Sequence, residues 1–285
     1  MGGYTYYKNS RLNRLTAWNN NGVTDVPSEV IYLVEEETKK KWSLGLNPMP
    51  DAQVYQVTYG FGYAKYAHES CGIEQEMLIF VPEKDPVKVQ ILTLKNKEPR
   101  KRELKVVYYL KPVLDEDEIK SHHFLDLSYD KKRNAIFFQN QIQMDTKQVG
   151  YAATSEPIQT YTGDRNCFFG KGNLADPEGL KKVFLDTSNS LFREGRIVLE
   201  MNVEIEAFEE KELILLLGCE EEKEVIEKKI DYYTKPETCQ EEFRRVKRYW
   251  EEMLRKSSSK NTIGINESAI KWMEYVSNIF FSYVC

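Results

Sequence analysis

Histidine is scarce, cysteine is unorganised, and neither makes a motif. The three histidines are His68 and the adjacent pair His122-His123. Neighbouring residues on a strand point to opposite faces, so the sequence offers no histidine-rich zinc site. Cys71, Cys167, Cys219, Cys239 and Cys285 are odd in number and widely spaced, with no C-x-x-C unit, and they read as free thiols rather than metal or redox centres. A base such as His68 would need a nucleophile, but neither a G-x-S-x-G elbow nor a phosphate-cradling G-x-x-x-x-G-K-[ST] loop is present. Basic excess is also missing: 45 Asp and Glu against 40 Lys and Arg leave a net charge of −5, so no nucleic-acid partner is expected. The apolar runs fall short of a bilayer span, and the opening Met1-Gly2-Gly3-Tyr4 has no basic stretch leading into an apolar core. No membrane partner and a cytoplasmic location are the expectations. With 15 Gly and 10 Pro in 285 residues, collagen-like and low-complexity chain is excluded.

What is abundant is aromatic surface, with 18 Tyr, 13 Phe and 4 Trp, a composition suited to recognising polar ring-shaped ligands. Up to about residue 217 the pattern is that of strands. Val54–Tyr59 is rich in β-branched and aromatic residues, Gly60 and Gly62 interrupt it, and Tyr63–His68 resumes it. Val87–Leu94 alternates and is answered by Leu104–Leu110, which predicts a hairpin; Phe124–Tyr129, Ala135–Phe138, Gly150–Thr154, Ile197–Ile205 and Leu213–Leu217 continue the series. Residues 160–180 read as irregular. Many closely spaced strands without intervening helices predict antiparallel sheets packed face to face, a large β-sandwich over residues 1–218.

From residue 219 to 285 the period becomes helical. Ile226, Ile230 and Tyr233 line one short helix. Thr234-Lys235-Pro236-Glu237 reads as a capping box opening a longer helix, with Phe243, Val246, Trp250 and Leu254 on one face. After the polar stretch Lys256–Lys260, a third helix from Asn266 carries Ile270, Met273, Val276, Phe280 and Tyr283 on one side. Such a face calls for a cover, either a second copy of the chain or the preceding helix.

Tyr7, Asn9, Arg11, Arg14 and Trp18 crowd into one short segment. Arg and Asn supply hydrogen-bond forks for hydroxyls, and Trp and Tyr supply faces for the apolar side of a sugar ring. These five are the candidate substrate-binding residues. The competing reading has Arg11 and Arg14 paired with carboxylates such as Asp25 or Glu29 while Trp18 packs between sheets. No acidic pair can be nominated for acid–base work, so no catalytic residue is named.

The stretch Gly2–Asn20 resembles the motif that opens the phosphorylase module of cyclic β-1,2-glucan synthetases and their stand-alone relatives, in glycoside hydrolase family 94, formerly glycosyltransferase family 36. Further matches follow in the family's order: Asp25–Glu29, Tyr32–Thr38 with Trp42-Ser43, Tyr59–Tyr63, His68–Glu74, Phe80–Pro82, Asp85–Lys88 and Thr162–Arg165. The resemblance implies a mutarotase-like super-sandwich followed by linker helices and an (α/α)6 catalytic barrel, whose single acid assists attack by inorganic phosphate. It implies no cofactor beyond that co-substrate. The barrel cannot be built from the few residues after Asn266, so the expected role is a non-catalytic carbohydrate-binding or scaffold module for a β-glucan phosphorylase-like protein, with an oligosaccharide, the barrel in cis or in trans, and a second copy of the chain in a homodimer as the candidate partners. The alternatives are a purely structural dimerisation or interdomain module, and a mutarotase-like sugar enzyme in which a His and a Glu converge. Two stretches depart from the family pattern: Asn19–Gly22, which implies a different loop there, and Thr187–Arg193.

Overall fold

The computed structural model describes residues 3–19, 21–142, 147–257 and 267–282. Among these, fifteen strands run in the order β1 (Arg14–Thr16), β2 (Glu29–Glu35), β3 (Lys41–Ser43), β4 (Tyr55–Gly60), β5 (Tyr63–Ser70), β6 (Ile73–Phe80), β7 (Val87–Asn96), β8 (Arg102–Leu110), β9 (Pro112–Asp115), β10 (Leu125–Asp130), β11 (Ala135–Asn140), β12 (Val149–Thr154), β13 (Ile158–Asp164), β14 (Gly195–Ile205) and β15 (Glu210–Glu220). The helices are α1 (Glu118–Ser121), α2 (Arg165–Phe169), α3 (Lys223–Tyr233), α4 (Pro236–Ser257) and α5 (Glu267–Ser282).

Two sheets make the sandwich. The larger has eight strands in the order β10-β11-β12-β15-β7-β6-β5-β4, the smaller five in the order β13-β14-β8-β2-β3, and β1 pairs with β9 alongside them. All these pairings are antiparallel. The expected mainly β, antiparallel sandwich with C-terminal helices is the fold.

Strand alternation distributes side chains among three apolar layers. On β7 and β15, Leu92, Leu94, Leu213, Leu215 and Leu217 face the smaller sheet and meet Leu104, Val106 and Leu110 of β8. The opposite phase, Val87, Val89, Ile91, Ile214 and Leu216, packs under Ile226, Ile230 and Tyr233 of α3 and Cys239 and Val246 of α4. The outer face of the smaller sheet, Val30, Tyr32, Val107, Tyr109 and Val198, is covered by Phe168 and Phe169 of α2 with Leu180 and Leu185. A strand covered on both faces loses its polar alternation, which is why Leu213–Leu217 reads as an uninterrupted apolar run.

The structure differs from the sequence reading in three places. Residues 158–164 form β13 and 165–169 form α2, so ordered elements occupy 160–169 of the 160–180 stretch expected to be irregular. Thr234 does not open α4; its hydroxyl donates to the Ile230 carbonyl and closes α3, and α4 begins at Pro236. The third helix docks on a face rotated from the expected one. Met273 and Val276 are exposed, whereas Trp272 and Tyr275 pack on Phe61 at the β4–β5 turn with ring centroids 4.7 and 5.3 Å away, and Tyr275 lies 4.6 Å from Trp250 of α4. The two large rings bury more surface than Met and Val would. The Phe280 side chain and Tyr283 lie outside the described residues.

Candidate functional site

The strand counts of the two sheets leave part of one uncovered. Beyond β7 the larger sheet continues through β6, β5 and β4, and these three strands overhang a smaller sheet that ends at β2 and β3. Their inner faces therefore wall a cleft of about 670 Å³ instead of filling a core. Register explains which side chains face it: Ala64, Ile79 and Gln90 form one row across β5–β7, and Val57, Tyr66 and Met77 form the next across β4–β6. Tyr4, Asp25 and Pro27 line the cleft from the N-terminal segment, Leu46 and Asn47 from the segment after β3.

Polar groups close the floor. Glu29 Oε1 accepts from Thr5 Oγ1 at 2.6 Å and Thr16 Oγ1 at 2.8 Å, while Oε2 is ion-paired with Lys88 Nζ. Burial pushes this carboxyl up, but Lys88 and the two hydroxyls outweigh it and hold Glu29 below the usual glutamate range. Lys88 also donates to Thr5 Oγ1 at 3.2 Å. Beside this pair, Gln90 Nε2 donates to Tyr108 Oη at 2.7 Å. Burial, reinforced by Tyr59 and the negative charge of Glu29, pushes the Tyr66 phenol up to about 12, so it remains a neutral hydrogen-bonding group.

One wall is held from behind. Asp51, on the segment leading to β4, accepts from Ser70 Oγ at 2.7 Å and faces His68 Nε2 at 3.0 Å, while His68 Nδ1 faces the Val54 carbonyl at 3.0 Å. The imidazole stacks on Tyr55, centroids 3.7 Å apart. Burial raises the Asp51 carboxyl, but bonds from Ser70, the Gln53 amide and His68 hold it below its ordinary value. The Ser70 hydroxyl points at the carboxylate and not at the imidazole, so these three residues tie a loop down and do not make a nucleophile–base pair. No histidine lines the cleft among the described residues. His122 and His123 lie against one another just after α1 with tilted rings, His122 is bonded to the Glu118 carbonyl, and among the described residues neither is paired with a glutamate side chain.

The five sequence-nominated residues separate. Arg14 and Trp18 come together with Tyr4: the guanidinium lies 5.4 Å from the Trp18 ring and 5.8 Å from Tyr4, and the two rings are 5.7 Å apart. Trp18 is 42% exposed, and Arg14 Nε is buried with no hydrogen-bond partner among the described residues. Because Tyr4 also lines the cleft, this platform forms part of its rim. Tyr7 instead sits in the inter-sheet core. Asn9 accepts from the Arg11 and Leu12 amides, both at 2.9 Å, and shapes a turn, leaving Arg11 exposed. Glu29, a suggested partner for the arginines, is taken by Lys88 and two threonines. Sequence reasoning missed Tyr4, Tyr66, Lys88 and Gln90. The available signal was phase, since Lys88 and Gln90 occupy the same inward alternation as Leu92 and Leu94 on one strand.

Cys71 and Cys167 are half-buried and Cys219 and Cys239 buried, all as free thiols, while Cys285 lies outside the described residues. Among the described residues no helix is long and apolar enough to cross a membrane.

The fold is a double-layered antiparallel sandwich with an overhang cleft, and the comparison with known families is specific. The chain belongs to the family described as glycosyl hydrolase 94, supersandwich domain, matched over residues 2–236. It is 24% identical over 220 residues to cyclic beta-(1,2)-glucan synthase NdvB of Rhizobium meliloti (strain 1021), covering 75% of this chain and 8% of that one. It is 30% identical over 112 residues to N,N'-diacetylchitobiose phosphorylase of Vibrio furnissii, covering 38% of this chain and 14% of that one. Solabiose phosphorylase of Paenibacillus borealis matches at 28% over 155 residues, 52% of this chain and 20% of that one. The chain thus spans only a small part of each of these relatives. Among solved structures, a bacterial glucoamylase complexed with acarbose superposes on 88% of this chain and 37% of its own, with a TM-score of 0.55 at 8% identity, a likeness of fold.

Proposed function

We propose that the chain is the non-catalytic, carbohydrate-contacting module of a β-glucan phosphorylase-like protein, working with an (α/α)6 catalytic barrel supplied in cis or in trans. The observation that carries this reading is the Tyr4–Arg14–Trp18 platform, half open to solvent at the rim of a cleft. An indole ring held by a guanidinium behind it offers a stacking face for the apolar side of a pyranose. Family membership and the names of the relatives support an oligosaccharide as the ligand, and the glucan synthase among them favours β-1,2 linkages. In this reading inorganic phosphate is a co-substrate of the barrel, the protein works in the cytoplasm, and homodimerisation is a property to be tested by sedimentation with and without residues 262–285.

The one carboxylate in the cleft floor, Glu29, is already bound by a lysine and two hydroxyls. The chain alone is therefore expected to release no glucose 1-phosphate from β-1,2-gluco-oligosaccharides and phosphate. The deciding experiment is an NMR titration with those oligosaccharides: shifts at Trp18 and Tyr4 that vanish in Trp18→Ala support the reading. A second reading, a scaffold without sugar affinity, draws on Tyr7 lying in the core and on the docking of α5, and it requires a parent protein with no saccharide response at all.

A further inference from the structure

The cleft itself is more than a rim. Its size of about 670 Å³ falls within the roughly 300–1,000 Å³ typical of small-ligand sites, and a disaccharide is a ligand of that scale. Its chemistry is restrictive. The walls, Tyr55, Val57, Tyr66, Met77 and Ile79, are apolar or neutral aromatic. The buried ion pair of the floor, Glu29 with Lys88, cancels its own charge.

The donors that remain face inward. Of the three ammonium hydrogens of Lys88, one goes to Glu29 and one to Thr5, which leaves one for a ligand oxygen. The Gln90–Tyr108 pair presents a second neutral polar patch beside it. A phosphorylated or carboxylated ligand seated on the floor would meet Glu29 beside a Lys88 whose charge that carboxylate already balances. A lipid chain would strand the polar floor. A neutral ring with apolar C–H faces and peripheral hydroxyls suits both walls and floor.

We infer that the overhang cleft is a binding site for the terminal units of a neutral oligosaccharide, whose remaining chain leaves across Tyr4 onto the Trp18 platform. This inference rests on the carbohydrate-contacting reading above and adds to it the place, the neutral ligand class and the direction of the chain. Bound there, the saccharide is gripped at one end and merely stacked beyond it, so affinity should depend on filling the cleft first and on length second.

The test uses the full chain and two probes, the β-1,2-linked glucose disaccharide sophorose and a longer β-1,2-gluco-oligosaccharide, followed by NMR up to about 10 mM, above the roughly millimolar Kd of a site with few contacts. The inference expects shifts at the Gln90 side-chain amide and the Ala64 and Ala67 backbone with either probe. Ala64→Phe, which fills the cleft, should weaken both by at least about tenfold. Val57→Trp fills it from the exposed edge strand β4, where a change in folding is least expected, and should do the same. Trp18→Ala should weaken only the longer probe. Glucose 1-phosphate should bind the cleft more weakly than sophorose, and tighter binding would overturn the neutral-ligand assignment. Platform shifts with an unaltered response in both cleft-filled variants would sink the cleft and leave the carbohydrate reading standing. No shifts with any saccharide would end both.

Discussion

The larger sheet is one continuous antiparallel ladder, yet its two regions behave differently. Over β12, β15 and β7 both faces are covered, and Leu213, Leu215 and Leu217 are fully buried. Over β4 the four central residues are all exposed, and the β5 and β6 inner faces look into the cleft. Local sequence does not separate them, since Val54–Tyr59 has as strong a strand character as Val87–Leu94. What separates them is how far the opposing sheet reaches: five strands cannot cover eight. The covered region supplies stability and the overhang supplies a ligand surface.

The largest expected effect tests this division directly. Leu215→Ala in the covered region should cost about 3–5 kcal/mol in denaturant unfolding, while Val57→Ala on β4 should cost under about 1 kcal/mol. Equal costs would mean that the overhang is packed as a core. Next comes the ion pair where the two regions meet. Glu29→Gln leaves Lys88 without its partner in a mostly buried place, an expected loss of about 2–3 kcal/mol, below the full cost of breaking a buried pair because both side chains keep some exposure. The pH dependence has a definite sign. Glu29 titrates lower folded than unfolded, so its contribution is present above the ordinary glutamate value of about 4.3 and is lost as pH falls below it. The unfolding free energy followed from pH 6 down to about 3 should fall more steeply in the parent than in Glu29→Gln; identical slopes would remove Glu29 from the floor's electrostatics. Gly62→Ala follows, because Gly62 has φ +82° and a Cβ there would lie 2.6 Å from Trp250 Nε1. A loss of about 1–3 kcal/mol with altered tryptophan fluorescence is expected. Smallest is Trp18→Ala, under about 1 kcal/mol since the ring is half open to solvent; a cost of several kcal/mol would make Trp18 a structural residue.

Legibility in the sequence followed the same division. Strands β7, β8, β14 and β15 were readable because their apolar runs are long. β2, which pairs with β8, the central strand of the smaller sheet, was recognised only as a motif, because Glu29–Glu35 is buried on both faces and its acids flank an unbroken apolar run. β13 was hidden by Thr, Gly and Asp, whose polar atoms are satisfied by the Ser188 region and by Arg193. Arg14 and Trp18 were legible as a platform because both lie in one short segment. The cleft was not, because it exists only through pairings between distant strands; Lys88 and Glu29 are 59 residues apart. The misread face of α5 has a related cause: Met273 and Val276 fit the apolar period, but the docking surface offered by Phe61, Gly62 and Trp250 selects the aromatic rings one position earlier.

The β4–β5 turn that meets α5 has a consequence for local opening. An edge strand with few buried contacts is the unit that a β-protein releases first, well below its global unfolding free energy. Here that strand is one wall of the cleft, and its far end is clasped: the Gly62 amide donates to Tyr275 Oη at 2.9 Å, and Phe61 lies against Trp272 and Tyr275. Amide hydrogen exchange along Tyr55–Gly60 should therefore report on the helix rather than on the sheet, slow while α5 is seated and fast once it lifts. A wall whose opening is governed by the seating of α5 ties the lifetime of the cleft to the hold of that helix on Phe61 and Gly62.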